Sequence, residues 1–338
     1  MQAGPPNVSS VEASGARPFW SVMIPTYNCA DYLRLTLASV LEQDPGPDQM
    51  QIEIVDDCST KDDPGAVVNE LTNGRAKFYR QPQNVGPTEN FNTCVRRSTG
   101  HVVHILHGDD TVQPCFYEHL RNGLEQRPDA GAAFCRFVFI DEHNQWQRLS
   151  QIEQPTEGVI ENWIAKIAIR NRIQTPSIVV RRTTYEQLGG YHPQLNHSAD
   201  WEMWRRIASR YPCWYEPKLL ACYRKHTASH TSELLRSGGN LLDTRRSIEI
   251  ARAYLPVETA ADLTRRARWA CALFGLRSAR QFLQRKDARG AIAQIREAIK
   301  CDHSPSTLAS LVGLVCWAVQ KSIRRFLPSI IRQEKKNT

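Results

Sequence analysis

Between Phe19 and Ile140 short apolar runs alternate with segments whose apolar residues recur at helical spacing, and few architectures accept that order. "FWSVMI" (19–24), "QIEIV" (51–55), "AKFYR" (76–80), "HVVHIL" (101–106) and "GAAFCRFVFI" (131–140) read as strands. Helices fall between them. Leu33, Leu37, Val40 and Leu41 share one helical face, residues 88–99 form a further helix, and Pro114 opens another that runs to Arg127. This β-α-β-α order predicts an α/β fold, a mostly parallel sheet with helices on both faces.

Beyond Ile140 the pattern changes. Residues 141–158 are polar and read as loop. "VIENWIAKIAIR" (159–170) and "ADWEMWRRIASR" (199–210) read as helices, and "SIVVRR" (177–182) and "KLLACYRKH" (218–226) as strands. From Asn240 on, the spacing predicts helices only, with a single two-helix hairpin at 266–305. Residues 1–18 are rich in Pro, Gly and Ser and contain one basic residue, which reads as a disordered leader rather than a signal peptide.

The net charge of +8 raises the question of an anionic partner. Residues 320–338 hold six of the basic residues against one acid, Glu334, so the rest of the chain is nearly balanced. That distribution argues against an extended nucleic-acid-binding face. The ten Cys are scattered, with no CxxC pair, which fits neither a zinc site nor a disulfide scaffold and points to a reducing, cytoplasmic setting.

In a parallel sheet, ligands bind beyond the carboxyl ends of the strands. The first strand is followed by "PTYN" (25–28), the second by "DDCSTKDD" (56–63), and the one at 101–106 by "HGDD" (107–110). Adjacent carboxylates such as Asp109 and Asp110 suit a hard divalent cation shared with substrate phosphates. Each motif alone has a plainer reading: Asp109-Asp110 as a turn, Asp56-Asp57 and Asp200 as helix caps, His226 as a solvated ring. Their recurrence at neighbouring strand ends favours a site. Asp200 would then be a carboxylate base, with Arg224 and His226 in reach of a diphosphate or metal.

The ordered set "SVMIPTYN", "IEIVDDCST", "NVGPTENFN", "HILHGDD", "LGGY", "ADWEMW" and "YRKH" closely resembles the family 2 glycosyltransferases of the GT-A fold, from Trp20 to Ser232. The resemblance implies a GT-A domain over 19–235 and a helical region over 240–338. It implies an inverting transfer from a nucleotide-diphospho-sugar, a UDP-sugar first, to a hydroxyl of a glycan or lipid-linked glycan. By it, Pro25, Thr26, Tyr27, Asn28, Asp56, Asp57, Asn84, Gly86 and Asp109 would bind the nucleotide. Asp110, Asp109 and His226 would hold Mn²⁺ or Mg²⁺, Arg224 and His226 would touch the diphosphate, and Asp200 would be the base.

Two positions depart from the family pattern: His107 stands where an Asp often opens the metal motif, and Ala199 where an acid often precedes the base. A nucleotidyltransferase or a non-catalytic scaffold are the competing readings, but no Gly-rich, Lys-containing phosphate loop follows the first strand. "PTYN" in place of GxGxxG disfavours a dinucleotide oxidoreductase. The apolar run 307–319 is too short to span a bilayer. With the basic residues that follow, it reads either as a helix docked on its own domain or as one over 307–327 lying on the inner face of the cell membrane, with contacts through 307–336.

Overall fold

The computed structural model describes residues 4–11, 16–226 and 230–334. The first half runs β1 (Trp20–Thr26), α1 (Ala30–Leu41), β2 (Met50–Asp56), α2 (Pro64–Thr72), β3 (Lys77–Arg80), α3 (Pro87–Arg97), β4 (Val102–Ile105), β5 (Thr111–Val112), α4 (Phe116–Gln126) and β6 (Ala132–Ile140). The chain continues through β7 (Trp146–Leu149), β8 (Gly158–Val159), α5 (Trp163–Ile167), β9 (Ile178–Arg181), α6 (Arg182–Leu188), α7 (Ala199–Ala208) and β10 (Cys213–Arg224). Five helices end it: α8 (His230–Ser237), α9 (Gly239–Ala251), α10 (Val257–Gln284), α11 (Ala288–Cys301) and α12 (Pro305–Glu334).

The strands form one mixed sheet in the order β3-β2-β1-β4-β9-β6-β10-β5, with β7 on β6 and β8 on β10. The first four are mutually parallel, as the alternation predicts. β9 runs antiparallel to both β4 and β6, and β6 and β10 are again parallel. Both faces are covered. In β1, Val22 and Ile24 feed one core while Met23 feeds the other, because successive side chains of a strand point to opposite faces.

β1 continues through Pro25 instead of ending there. β4 pairs with β1 only as far as Met23, so Pro25 lacks an N–H where the neighbouring ladder has already stopped. β7 lies inside the stretch read as loop. All four of its residues are exposed, so no apolar alternation marks them. The helix expected over 159–170 shrinks to α5 because Asn162 takes a left-handed conformation (φ 50°) just before it. Part of the expected disordered leader is also docked. The Gly190 N–H donates to the Pro6 carbonyl at 2.8 Å, Arg182 donates to the Ser9 carbonyl at 3.0 Å, and Val8 is buried.

The expected hairpin at 266–305 is the α10–α11 pair. A Cβ at Gly275 would lie 2.5 Å from Leu241 and 2.9 Å from Ala298, so the Gly permits the close crossing of α9, α10 and α11. α12 buries Thr307 and Leu314 on one side and leaves Leu308, Val312, Val315, Val319 and Ile323 exposed on the other. No helix among the described residues is long and apolar enough to cross a membrane.

α7, which carries Asp200, is tied down by a buried ion pair. Arg206 meets Glu202 through two hydrogen bonds of 2.9 Å and also donates to the carbonyls of Leu188 and Gly190. Removing one partner of such a pair strands the other charge. Glu202→Ala is therefore expected to lower stability by about 3–5 kcal/mol in urea unfolding. A loss below ~1 kcal/mol would show that this pair does not hold α7.

Candidate active site

The carboxyl ends of β2, β1 and β4 lie side by side, as the sequence motifs require. Their residues divide the work differently than expected. Asp56 is fully buried, and its oxygens are taken by Ser59 Oγ (2.5 Å), Thr26 Oγ1 (3.3 Å), the Ser59 N–H (3.1 Å) and Arg80 Nε (2.7 Å). A carboxylate so saturated braces the loop, with Thr26 buried against it. Asn28, at φ 51°, accepts the N–H groups of Thr60 and Lys61 with its side-chain oxygen and also fixes this loop. Tyr27 between them is 49% exposed and free to meet a ligand.

Asp57 accepts the N–H of Val85 at 2.7 Å and of Gly86 at 3.0 Å, and Asn84 donates to its carbonyl at 3.1 Å. The loop 84–86 is thereby brought to the end of β2. Burial raises the Asp57 pKa against the lowering effect of the two N–H donors. Gly86 takes φ 84° and opens α3 with Pro87 at its first position.

After β4 the chain crosses close under β1. A Cβ on Gly108 would stand 2.6 Å from Thr26 Cγ2 and 3.0 Å from Cys29 Sγ, and its N–H donates to Pro25 O at 3.0 Å. Asp109 and Asp110 follow. The backbone N–H of Arg224 binds Asp110 Oδ1 at 2.8 Å, and His226 Nε2 lies 3.0 Å from Asp109 Oδ2. Burial and the Asp109 charge push the Asp110 pKa up to about 6. Burial works the other way for a lowered pKa at Asp109, but the His226 contact and the His107 charge outweigh it.

His107, Asp109 and Asp110 each offer a ligand atom within 4.8 Å of the others. Asp110 Oδ2 and His107 Nε2 are buried without hydrogen-bond partners. Two carboxylates and an imidazole with unsatisfied atoms fit a divalent cation. His226, expected among the ligands, is not in this group of three, although its Nε2 lies 3.0 Å from Asp109 Oδ2. Arg224, expected at the diphosphate, is only 3% exposed and donates through Nε to Asp109 O and through Nη1 to Asp141 O. These bonds staple β10 to the loop 107–110, while Arg224 Nη2 is buried without a hydrogen-bond partner.

Asp200 sits in the first turn of α7. It accepts the Trp201 N–H at 2.6 Å and Asn171 Nδ2 at 3.2 Å, and burial raises its pKa to about 6. The charge of His107 acts on it in the opposite sense, which ties the two groups into one electrostatic site. Sequence reasoning missed three supports. Asn171 lies in a loop without pattern. Phe91 stacks on His107 at 5.2 Å. Asp243 of α9 accepts the N–H groups of Asn196, His197 and Ser198, fixing the turn into α7.

Residues 21–186 match the family model described as glycosyl transferase family 2. The chain carries a family 2 glycosyltransferase domain. It is a transferase by that relationship. It is 26% identical over 257 residues to an uncharacterised protein of Mycobacterium tuberculosis, covering 70% of this chain and 77% of that one. It is 22% identical to an uncharacterised glycosyltransferase of Rickettsia prowazekii, over 64% of this chain and 67% of the relative. Its fold is shared with a mannosyltransferase from Pyrobaculum calidifontis in complex with GDP-Man and Mn²⁺, at TM-score 0.56 and 19% identity over 92% of this chain and 83% of that one. S. aureus TarS 1-349 in complex with UDP-GlcNAc aligns at TM-score 0.54 and 15% identity over 83% and 91% of the two chains. These likenesses establish the GT-A fold.

In this transferase Asp200 is held charged at neutral pH at a cost to the fold. Its folded-state pKa of about 6 lies above the ordinary carboxylate value, so its contribution to stability is full below the unfolded pKa and is lost as pH rises through 6. We predict that Asp200→Asn raises the melting temperature at pH 7.5, and that the gain vanishes by pH 4. A lower melting temperature at both values would show that the carboxylate stabilises the fold.

Proposed function

We propose that this protein is an inverting glycosyltransferase that moves a sugar from a nucleoside-diphosphate donor to an acceptor hydroxyl. The observation that carries this reading is the cluster of His107, Asp109 and Asp110 beyond neighbouring strand ends, with Asp200 on α7 near enough to feel the charge of His107. Tyr27 and Pro25 would flank the nucleoside, and Asp57 with loop 84–86 would close its edge. A nucleobase can still use the second lone pair of each Asp57 oxygen. Asp110, Asp109 and His107 would hold Mn²⁺ or Mg²⁺, which when bound supplies charge neutralisation for the diphosphate leaving group.

The chain's own residues account for the rest. Asp200, deprotonated above pH 6, would take the proton of the acceptor hydroxyl as that oxygen bonds to C1. The C1–O bond to the diphosphate breaks in the same displacement, which inverts the anomeric centre. Asn171 would keep the Asp200 carboxylate turned to the acceptor, and His226 would fix Asp109. Glycans and lipid-linked glycans are the proposed acceptors, and UDP- and GDP-sugars the first donors to test.

The exposed apolar row of α12, Leu308, Val312, Val315, Val319 and Ile323, supports contact with an anionic membrane surface. Lys321 and the basic residues of the sequence beyond it supply the complementary charge, although the side chains of Arg324, Arg325, Arg332, Lys335 and Lys336 lie outside the described residues. Such a setting suits a lipid-linked acceptor. Val312→Glu with Val319→Glu is expected to abolish sedimentation with anionic liposomes while leaving nucleotide binding intact. Unchanged sedimentation would remove the membrane assignment.

Donor turnover by the purified protein tests the reading. Transfer or slow hydrolysis of one nucleotide-sugar should fall by roughly 10²–10⁴ in Asp200→Asn. Its rate should climb tenfold per pH unit below 6 and level off above, because only the charged base is active. Wild-type activity in Asp200→Asn, or a rate independent of pH between 4.5 and 7, would exclude Asp200 as the base.

A further inference from the structure

His107 is the one member of the metal-capable group that the resemblance does not account for, since an Asp often stands there. We propose that His107 is a direct nitrogen ligand of the cation at this site, and that it makes the site prefer Mn²⁺ over Mg²⁺. This rests on the nucleotide-sugar reading above and sharpens it.

The geometry suits two ligands of one ion. His107 Nδ1 lies 3.3 Å from Asp110 Oδ2, yet that oxygen has no hydrogen-bond partner. Neighbouring ligand atoms around an octahedral cation at ~2.1 Å stand about 3.0 Å apart, close to this separation. Asp110 Oδ1 is taken by the Arg224 N–H and Asp109 Oδ2 by His226. What stays free on Asp110 is the oxygen that faces His107.

The ring is also pre-set. Phe91 stacks on it with planes 17° apart, and Phe91 is in turn braced edge-on by Tyr191 at 5.5 Å. The backbone beneath passes close to β1, since any side chain at Gly108 would run into Thr26 and Cys29. A ligand held this way loses little entropy on binding.

The chemistry then follows from the donor set. Mg²⁺ favours oxygen ligands, whereas imidazole is accepted by transition ions and affinity rises along that series. An imidazole in place of an Asp also leaves two carboxylates at the site instead of three, so an incoming diphosphate meets less repulsion. The cation preference would not follow if His107 only oriented Asp110 by a hydrogen bond.

Pulsed electron paramagnetic resonance of the full chain loaded with Mn²⁺ and a nucleoside diphosphate, UDP or GDP, reads the ligands without turnover. A nitrogen coupled directly to Mn²⁺ should be present in the wild type, persist in His226→Gln, and disappear in His107→Asp. Competition titration should show the Mn²⁺ preference over Mg²⁺ falling roughly tenfold in His107→Asp. Bound Mn²⁺ with no nitrogen coupling in the wild type overturns the proposal and leaves the donor reading standing. So does coupling that vanishes in His226→Gln alone. The wild-type spectrum needs no variant to fold. Failure of Mn²⁺ to bind with either nucleotide would sink the donor reading and this proposal together.

Discussion

Asp109 and Asp110 put two like charges side by side at the end of a buried strand, and the architecture around them answers that cost. The backbone of β10, the ring of His226 and the ring of His107 each approach one carboxylate oxygen or lie beside it. Arg224 locks β10 to the loop from behind, donating to the carbonyls of Asp109 and Asp141. Even so, Asp110 keeps a raised pKa and an oxygen without a partner. Buried polar atoms in folded proteins are rarely left so. The fold holds this group in a state that a cation would relieve, which is the electrostatic signature of a prepared site.

The helical region takes part in this preparation. Asp243 of α9 accepts three consecutive N–H groups in the turn before α7, and Arg205 of α7 donates to the Ser247 carbonyl of α9. The placement of Asp200 thus depends on a segment beyond the residues matched by the family model. Helices that read from sequence as a separate unit are a clamp on Asp200. That dependence leaves little room for a scaffold whose C-terminal half works alone.

Much of this was legible in the sequence. The alternation of apolar runs predicts the parallel half of the sheet, and the motifs at the strand ends predict which loops come to lie side by side. What escaped had physical reasons. Asp56 and Asp57 are chemically identical neighbours, and only the fold shows that one is saturated by Thr26, Ser59 and Arg80 while the other gathers loop 84–86. Arg224 reads as a diphosphate ligand because an Arg near a strand end has that chemistry, and only the fold shows that its Nε and Nη1 are taken by backbone carbonyls while Nη2 has no partner. β7 is exposed on every residue and leaves no periodic trace. Asn171 and Asp243 act through long-range contacts that no local pattern encodes.

The central claim is that the strand-end carboxylates form one cation-dependent seat for a nucleoside diphosphate. Calorimetric titration of the purified chain with UDP and GDP, each with and without Mn²⁺, addresses it most directly. The account predicts one-to-one binding of one nucleotide that requires the cation and is lost in Asp110→Ala. Binding of equal strength with and without cation, or undiminished in Asp110→Ala, would contradict it.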